Sequence, residues 1–247
     1  MNQSLTGKRA LVTGGSRGIG SAIALELARA GADVVVHYAG NRAAAENIAE
    51  KITAMGSRAD VVQADFTRPD GADGLIERIG AVDILVLNAS VQIKKPWATI
   101  TDEDFDTQIN CNLRSSMKLM QQAVPAMRAK KWGRIVAIGS VQEAKPHPDM
   151  LVYAASKAGQ TMMIKSLALQ LAKDGITVNS VAPGVIYTDR NVEALSDPVY
   201  AKQVMDSIPV GFWGEKEDCA GIVRLLCGEE GRYITGQSIY VDGGKSL

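Results

Sequence analysis

Tyr153 and Lys157 lie four residues apart in LVYAASKAG, and Ser140 sits a short loop upstream, where the apolar run RIVAIGS ends. On a helix, positions i and i+4 share one face, so the phenol and the amine are neighbours. A free phenol has a pKa near 10 and is a poor base at neutral pH, but an adjacent ammonium favours the phenolate. A tyrosine placed in this way can take a proton from an alcohol or give one to a carbonyl. Tyr-x-x-x-Lys also recurs by chance in helices, so the pair gains weight only from the company it keeps.

A second motif is suited to phosphate. TGGSRGIG (13–20) brings Gly14, Ser16, Arg17, Gly18, Ile19 and Gly20 into a turn between a strand and a helix. Glycine permits the tight turn and lets backbone approach a ligand. The helix start then offers free N–H groups and a positive dipole end to a pyrophosphate. The spacing is G-x-x-x-G-x-G rather than G-x-G-x-x-G, and its place after the first strand points to a dinucleotide. An NAD site usually sets an acid at the end of the second strand to bond the ribose 2′-hydroxyl. Here that stretch is VVVHYAGNR (34–42), ending its strand at Tyr38, with no carboxylate between Asp33 and Glu46. Arg17 and Arg42 are available to a 2′-phosphate instead, so NADP(H) is favoured over NAD(H). Asp65, followed by Phe66, ends the third strand and can accept from an adenine amino group or simply cap a turn. Asn88, Ala89 and Ser90 follow the fourth strand, where they can face the adenosine ribose.

These motifs punctuate an alternation of short β-branched runs and helical segments. Residues 9–13, 33–38, 59–65, 83–88, 134–140, 176–183 and 238–242 read as strands. Residues 19–30, 41–55, a short stretch after Pro69, 102–130, 150–173, 191–206 and 215–227 read as helices. Thr101 and Asp104 make a capping box for the 102–130 helix, which is expected to bend at Pro125. The strands are nearly continuous apolar runs, as in strands buried on both faces. The fold class is therefore α/β: a Rossmann-type doubly wound parallel sheet of about seven strands with helices on both faces. With no repeat or linker, residues 1–247 read as a single dinucleotide-binding and catalytic domain. Ligands in such sheets bind beyond the carboxyl ends of the strands, where the motifs above fall.

Composition narrows the partners. Lys+Arg and Asp+Glu are 27 each, a formal net charge of zero, which argues against a nucleic-acid or polybasic membrane role. Apolar runs of about four to eight residues fall short of the roughly 18–20 needed to cross a bilayer. MNQSLTGKR lacks the apolar core of a secretory signal. Cys111, Cys219 and Cys227 form no CxxC and read as free thiols in a reducing compartment. His37 and His147 are too isolated for a metal site, so no metal is expected. The expectation is a cytoplasmic protein with a small-molecule substrate, binding neither nucleic acid nor membrane.

TGGSRGIG, Asp65, NAS (88–90), Asn112, Ser140, Tyr153-x-x-x-Lys157 and Pro183-Gly184 with Thr188 together resemble the short-chain dehydrogenase/reductases. The likeness is to their single-domain branch of about 250 residues and covers essentially the whole chain, YITGQSIYVDGG (233–244) included. It implies hydride transfer between a nicotinamide cofactor and a carbonyl or secondary alcohol, with Tyr153 as general acid/base. It implies that Lys157 also bonds the nicotinamide ribose, that Ser140 orients and polarises the substrate oxygen, and that Asn112 holds a water linking Lys157 to solvent. Pro183, Gly184, Ile186 and Thr188 would hold the nicotinamide carboxamide and the pyrophosphate. Leu87 and Ser90 depart from the family's usual Asn-Asn-Ala-Gly, with a slightly altered cofactor fit expected. The family also implies a homo-oligomer, dimer or tetramer, through the 102–130 and 150–173 helices.

The substrate is less legible. Loop position nominates Gln92, Gln142 and Tyr187, with Glu143, His147, Asn191 and Trp97 or Trp213 beside them, under a lid over 187–213. That polar set favours a hydroxylated or sugar-like substrate, as in a sugar or polyol dehydrogenase. An alternative is a 3-oxoacyl-[acyl-carrier-protein] reductase, which GRIVAIGS and GITVNSVAPG resemble. Its acidic carrier needs a basic face; Lys130, Lys131 and Lys173 are candidates, but Asp174 stands among them. A catalytically inactive dinucleotide-binding regulator is the different-class alternative. It should lack part of the Asn-Ser-Tyr-Lys set, and this chain lacks none.

Overall fold

The computed structural model describes residues 4–188, 191–192 and 195–247. Seven parallel strands form one sheet: β1 (Arg9–Val12), β2 (Asp33–Tyr38), β3 (Ala59–Gln63), β4 (Ile84–Leu87), β5 (Gly133–Ile138), β6 (Ile176–Pro183) and β7 (Ser238–Val241). Their order is β3-β2-β1-β4-β5-β6-β7, so the direction of winding reverses between β1 and β4. That reversal opens a crevice above the carboxyl ends of the two strands, flanked by the glycine loop and the Asn88 segment.

The apolar runs are explained by burial on both faces. In β1, Ala10 and Val12 enter one core while Leu11 enters the other. β2 and β4 alternate in the same way, with Val34 and Val36 against Val35, and Ile84 and Val86 against Leu85 and Leu87. On the first face pack α1 (Gly18–Arg29), α2 (Arg42–Ala54) and α8 (Lys216–Cys227). On the second pack α3 (Leu75–Ile79), α5 (Ser115–Lys130) and α6 (Leu151–Leu171). Leu87, where a polar residue was expected from the family pattern, is a buried member of this second core.

Two expected helices come out differently. The 102–130 segment starts at the predicted Thr101–Asp104 capping box, but it divides into α4 (Asp102–Ile109), a π-helical turn (Asn110–Arg114) and α5. Pro125 stands inside α5, and the change of helix type falls at Asn110–Arg114 instead. The helix expected over 191–206 contains a break at Ser196 and Asp197, with α7 beginning at Pro198 and ending at Asp206. The Asp197 carboxylate accepts from the Val199 and Tyr200 N–H groups, and proline occupies the first helical position, where its missing N–H costs nothing. Residues 189, 190, 193 and 194, which fall within the expected lid, lie outside the described residues.

Candidate active site

The loop after β1 is built around its glycines. Gly14 and Gly18 have φ of 63° and 54°, a region open to glycine at little cost. A Cβ on Gly20 would lie 2.2 Å from the Gly14 carbonyl oxygen and 2.5 Å from Asn88 Nδ2, so only glycine fits where the loop folds onto α1. Thr13 and Asn88 lock this loop to the end of β4. The Asn88 N–H (2.8 Å) and Ala89 N–H (3.0 Å) donate to Thr13 Oγ1, and Asn88 Nδ2 donates to the carbonyls of Thr13 (2.8 Å) and Gly14 (3.1 Å). Arg17 gives the start of α1 no side-chain cap, which leaves its N–H groups facing a cavity of about 630 Å³.

His37 is a site residue that sequence reasoning missed. Its Nδ1 accepts the Gly14 N–H at 2.9 Å, its Nε2 lies 3.0 Å from the Ala64 carbonyl, and its ring stacks on Phe66 with centroids 4.2 Å apart. The Gly14 N–H fixes the neutral tautomer protonated on Nε2. Burial lowers the imidazole pKa to about 4, the bond to Ala64 opposing and Arg78 adding.

Along the glycine-loop end of the cavity lie Gly14, Ser16, Arg17, Gly18, Ile19 and Gly20, then Tyr38, and then Asp65 and Phe66. Asp65 Oδ1 accepts from the Thr67 N–H and hydroxyl, which hold the carboxyl below the usual range and close a turn. The turn-cap reading of Asp65 is realised, and the residue also lies on the cavity wall. Arg42 is different: its Nε donates to Glu46 Oε1 at 2.7 Å within α2, and it is not on the cavity wall. Among the nominated cations, Arg17 alone lines the cavity.

At the other end Lys157 is 1% exposed. Its ammonium donates to the Ile138 carbonyl at 2.7 Å and to Gln160 Oε1 at 3.4 Å, and it stands 5.9 Å from the Tyr153 ring centroid. Tyr153, Lys157 and Ser140 all line the cavity. Ser140 begins a short 3-10 turn (Val141–Glu143), and its Oγ accepts the Gln142 N–H at 3.2 Å. Asn112 is fully buried in the π-helical turn and off the cavity wall. Its amide bonds both backbone polar groups of Val91 and donates to Ser156 Oγ. Its carbonyl accepts from Gln160 Nε2 at 3.2 Å, so Asn112 reaches Lys157 through Gln160, a second residue the sequence did not flag. Ala89, Ser90, Pro183, Gly184, Ile186 and Thr188 join the same wall.

Of the substrate candidates, Gln92, Gln142, His147 and Asn191 line the cavity. Tyr187 does not: it is 41% exposed and stacks on Trp213 at 5.9 Å, while its neighbours Ile186 and Thr188 line the wall. Trp213 is likewise off the wall, and Trp97 is 74% exposed on a separate turn. Glu143 turns away too, accepting from the Ser238 hydroxyl at 2.6 Å and from the Thr161 hydroxyl, which ties the Ser140 turn to β7 and α6. Tyr200, Val204 and Lys245 also line the cavity without having been nominated individually.

Comparison with known proteins agrees with this fold. The family model described as Enoyl-(Acyl carrier protein) reductase matches residues 14–246. The 3-oxoacyl-[acyl-carrier-protein] reductase FabG of Staphylococcus aureus is 39% identical over 241 residues, spanning 96% of this chain and 97% of that protein. The crystal structure of a 3-oxoacyl (acyl-carrier-protein) reductase from Agrobacterium tumefaciens C58 with NADP bound has a TM-score of 0.94 and 38% identity, covering 98% and 96% of the two chains. That of a putative 2-deoxy-D-gluconate 3-dehydrogenase from Agrobacterium tumefaciens with bound NADP has a TM-score of 0.91 and 32% identity, covering 99% and 98%. Among the described residues no helix is long and apolar enough to cross a membrane. The seven-stranded parallel sheet and the match over nearly the whole chain place it in the short-chain dehydrogenase/reductase family, as a nicotinamide-dependent oxidoreductase acting on carbonyl or hydroxyl carbons.

Proposed function

We propose that the chain is an NADP(H)-dependent ketone reductase and secondary-alcohol dehydrogenase for a small polar substrate, with Tyr153 as its proton carrier. The observation that carries this reading is Lys157, an ammonium buried to 1% exposure and 5.9 Å from the Tyr153 ring, on the wall of the cavity that begins at the glycine loop. Lysine is rarely buried so completely unless its charge is used.

The residues fit a dinucleotide, since the Gly14–Gly20 turn has no room for a Cβ at Gly20 and leaves helix-start N–H groups facing the cavity. That turn would hold the pyrophosphate, and Arg17 with Tyr38 the 2′-phosphate end. Asp65 and Phe66 would hold the adenine, Asn88, Ala89 and Ser90 the ribose, and Pro183, Gly184, Ile186 and Thr188 the nicotinamide end. The wall beyond β2 is Tyr38, Ala39, Gly40 and Asn41, without a carboxylate for a 2′-hydroxyl, which supports NADP(H) over NAD(H). The bound nicotinamide supplies or accepts the hydride.

The chain's own groups manage the proton. Ser140 Oγ accepts the Gln142 N–H, so its own proton is left to donate to the substrate oxygen. Tyr153 donates its phenolic proton to that oxygen in reduction and recovers it in oxidation. The Lys157 charge stabilises the phenolate so formed, more strongly in this dry setting than it would in water. Gln160 and Asn112 hold Lys157 in place from behind. Tyr153→Phe removes the proton and keeps the ring. NADPH-driven ketone reduction is expected to fall about a hundred- to ten-thousandfold in kcat with NADPH affinity kept; unaltered turnover would refute the assignment.

A second reading, 3-oxoacyl-carrier-protein reduction, is favoured by the 39% identity to the Staphylococcus aureus enzyme. It is disfavoured by a neutralised surface: Arg128 and Lys131 pair with Asp174, and Lys130 pairs with Asp83 at 2.5 Å. A single domain spanning the chain, a cytoplasmic setting and assembly into a dimer or tetramer belong to the same proposal. Exposed Met162 and Leu169 on α6 and Met117 on α5 support the assembly.

A further inference from the structure

The cavity wall carries Gln142, His147 and Lys245, three side chains with hydrogen-bond donors. Gln142 Oε1 accepts the His147 N–H at 2.6 Å, which leaves the Gln142 amide nitrogen as the free half of that side chain. His147 Nδ1 accepts the Asp149 N–H at 3.1 Å, which places the ring proton on Nε2. Both residues line the cavity, and so does Lys245.

Lys245 is held there by the tail that follows β7. Gly243 and Gly244 turn the chain with φ of 62° and 85°, the Val210 N–H donates to the Gly243 carbonyl, and Asp242 packs against Gly184 at the end of β6. The Lys245 ammonium donates to Ser207 Oγ at 2.5 Å, and that hydroxyl donates in turn to the Val204 carbonyl. An ammonium has three protons, and this bond uses one.

Asp242 acts on the Lys245 charge without forming an ion pair with it. Asp242 directs its two oxygens to the Gly244 and Ser246 N–H groups, and among the described residues neither Lys245 nor Lys145 forms an ion pair. Lys145 adds a second cation on the same side, its ammonium donating to the Lys245 carbonyl at 2.9 Å and to the Leu247 oxygen at 3.4 Å. Partial burial and Lys145 together push the Lys245 ammonium below the usual lysine range, with Asp242 opposing. Among described residues the cavity's only carboxylate is Asp65, at the dinucleotide end.

From this arrangement we infer that the substrate is a small oxo or hydroxy acid whose carboxylate, remote from the reacting carbon, is anchored by Lys245 with N–H donation from Gln142 and His147. The inference rests on the reductase reading and names its substrate class. A carboxylate supplies the acceptors that these donors lack and the negative charge that the paired cations call for.

The test compares acids with their neutral amides: levulinate with levulinamide, and acetoacetate with acetoacetamide, in NADPH-driven reduction. Acetoacetyl-coenzyme A serves as the thioester arm. Calorimetric binding of each pair to the NADP-loaded enzyme is measured in parallel. The wild type is expected to favour each acid by about ten- to a hundredfold in kcat/KM, with the same preference in affinity. K245M is expected to bring the ratio close to one, and K245R to keep most of it. An acid-to-amide ratio near one in the wild type, or one that survives in K245M, overturns the proposal. So does a K245M effect confined to the KM for NADPH, which would give the charge to the cofactor. Preference for the thioester without any preference for acids also overturns it and returns the carrier-protein reading. Lys245-dependent binding of the acids with no reduction of any ketone would instead sink the reductase reading and leave the anchor standing.

Discussion

His37→Asn tests whether one buried imidazole couples the cofactor loop to pH. The ring is 2% exposed, accepts the Gly14 N–H and stacks on Phe66, so a proton added to Nδ1 would face a donor it cannot bond. Burial lowers its pKa from 6.5 to about 4. The sign follows directly. As pH falls, the unfolded chain takes up the proton first, so the contribution of His37 is complete above about 6.5, declines through the window down to about 4, and levels off below it. Going from about pH 7 to about pH 4.5, that difference costs about 2–3 kcal/mol, a sizeable share of a typical total stability of about 5–15 kcal/mol.

Asparagine keeps an acceptor near the Nδ1 position and does not titrate. Urea denaturation of wild type and His37→Asn, at equal protein concentration across that interval, reads the difference. The wild type is expected to lose about 2–3 kcal/mol more than the variant, whatever the carboxylates contribute to both. In the folded wild type His37 keeps its bond to Gly14 across that window, so NADPH affinity is expected to hold until pH falls through about 4 and then to weaken, and to be flatter there in the variant. Parallel pH slopes for the two proteins would refute the coupling.

Two further predictions bear on the cofactor end. Arg17→Ala removes the one nominated cation on the cavity wall, and the KM for NADPH is expected to rise about ten- to a hundredfold while that for NADH stays nearly level; an equal rise for both would assign Arg17 to the shared pyrophosphate. Gly20→Ala drives a methyl to 2.2 Å from the Gly14 carbonyl oxygen, so a stability loss of about 1–3 kcal/mol in urea unfolding and weaker NADPH binding by fluorescence titration are expected, and an unchanged dissociation constant would contradict the tight loop.

What the sequence could reveal follows from the range of the interactions involved. The inner strands were legible because each must satisfy two cores: Leu11 enters one and Val12 the other, which leaves no polar face to interrupt the run. The glycine loop was legible because its constraint is local, a few residues folding back on themselves. The π-helical turn at Asn110–Arg114 was not, because one extra residue per turn barely disturbs an apolar period read over a whole helix. The helix break at Asp197-Pro198 carried a local cap signal that the longer apolar pattern obscured.

The substrate wall lay beyond sequence for a different reason. A strand end tells which residues arrive near the site, but the direction of each side chain is set by contacts made elsewhere. Ile186 and Tyr187 arrive together, yet Ile186 lines the cavity and Tyr187 stacks on Trp213. His37 read as an isolated histidine because its partners, Gly14, Ala64 and Phe66, follow two other strands and converge only once the sheet has formed. Lys245 reaches the cavity through a diglycine turn and a serine hydroxyl after α7, contacts that exist only when β7 has docked beside β6. Tyr153 and Lys157 sit one turn apart on a single helix and are encoded locally. The wall residues opposite them are assembled from distant parts of the chain, so on the reading proposed here one shared proton chemistry can serve different substrates as those distant residues change.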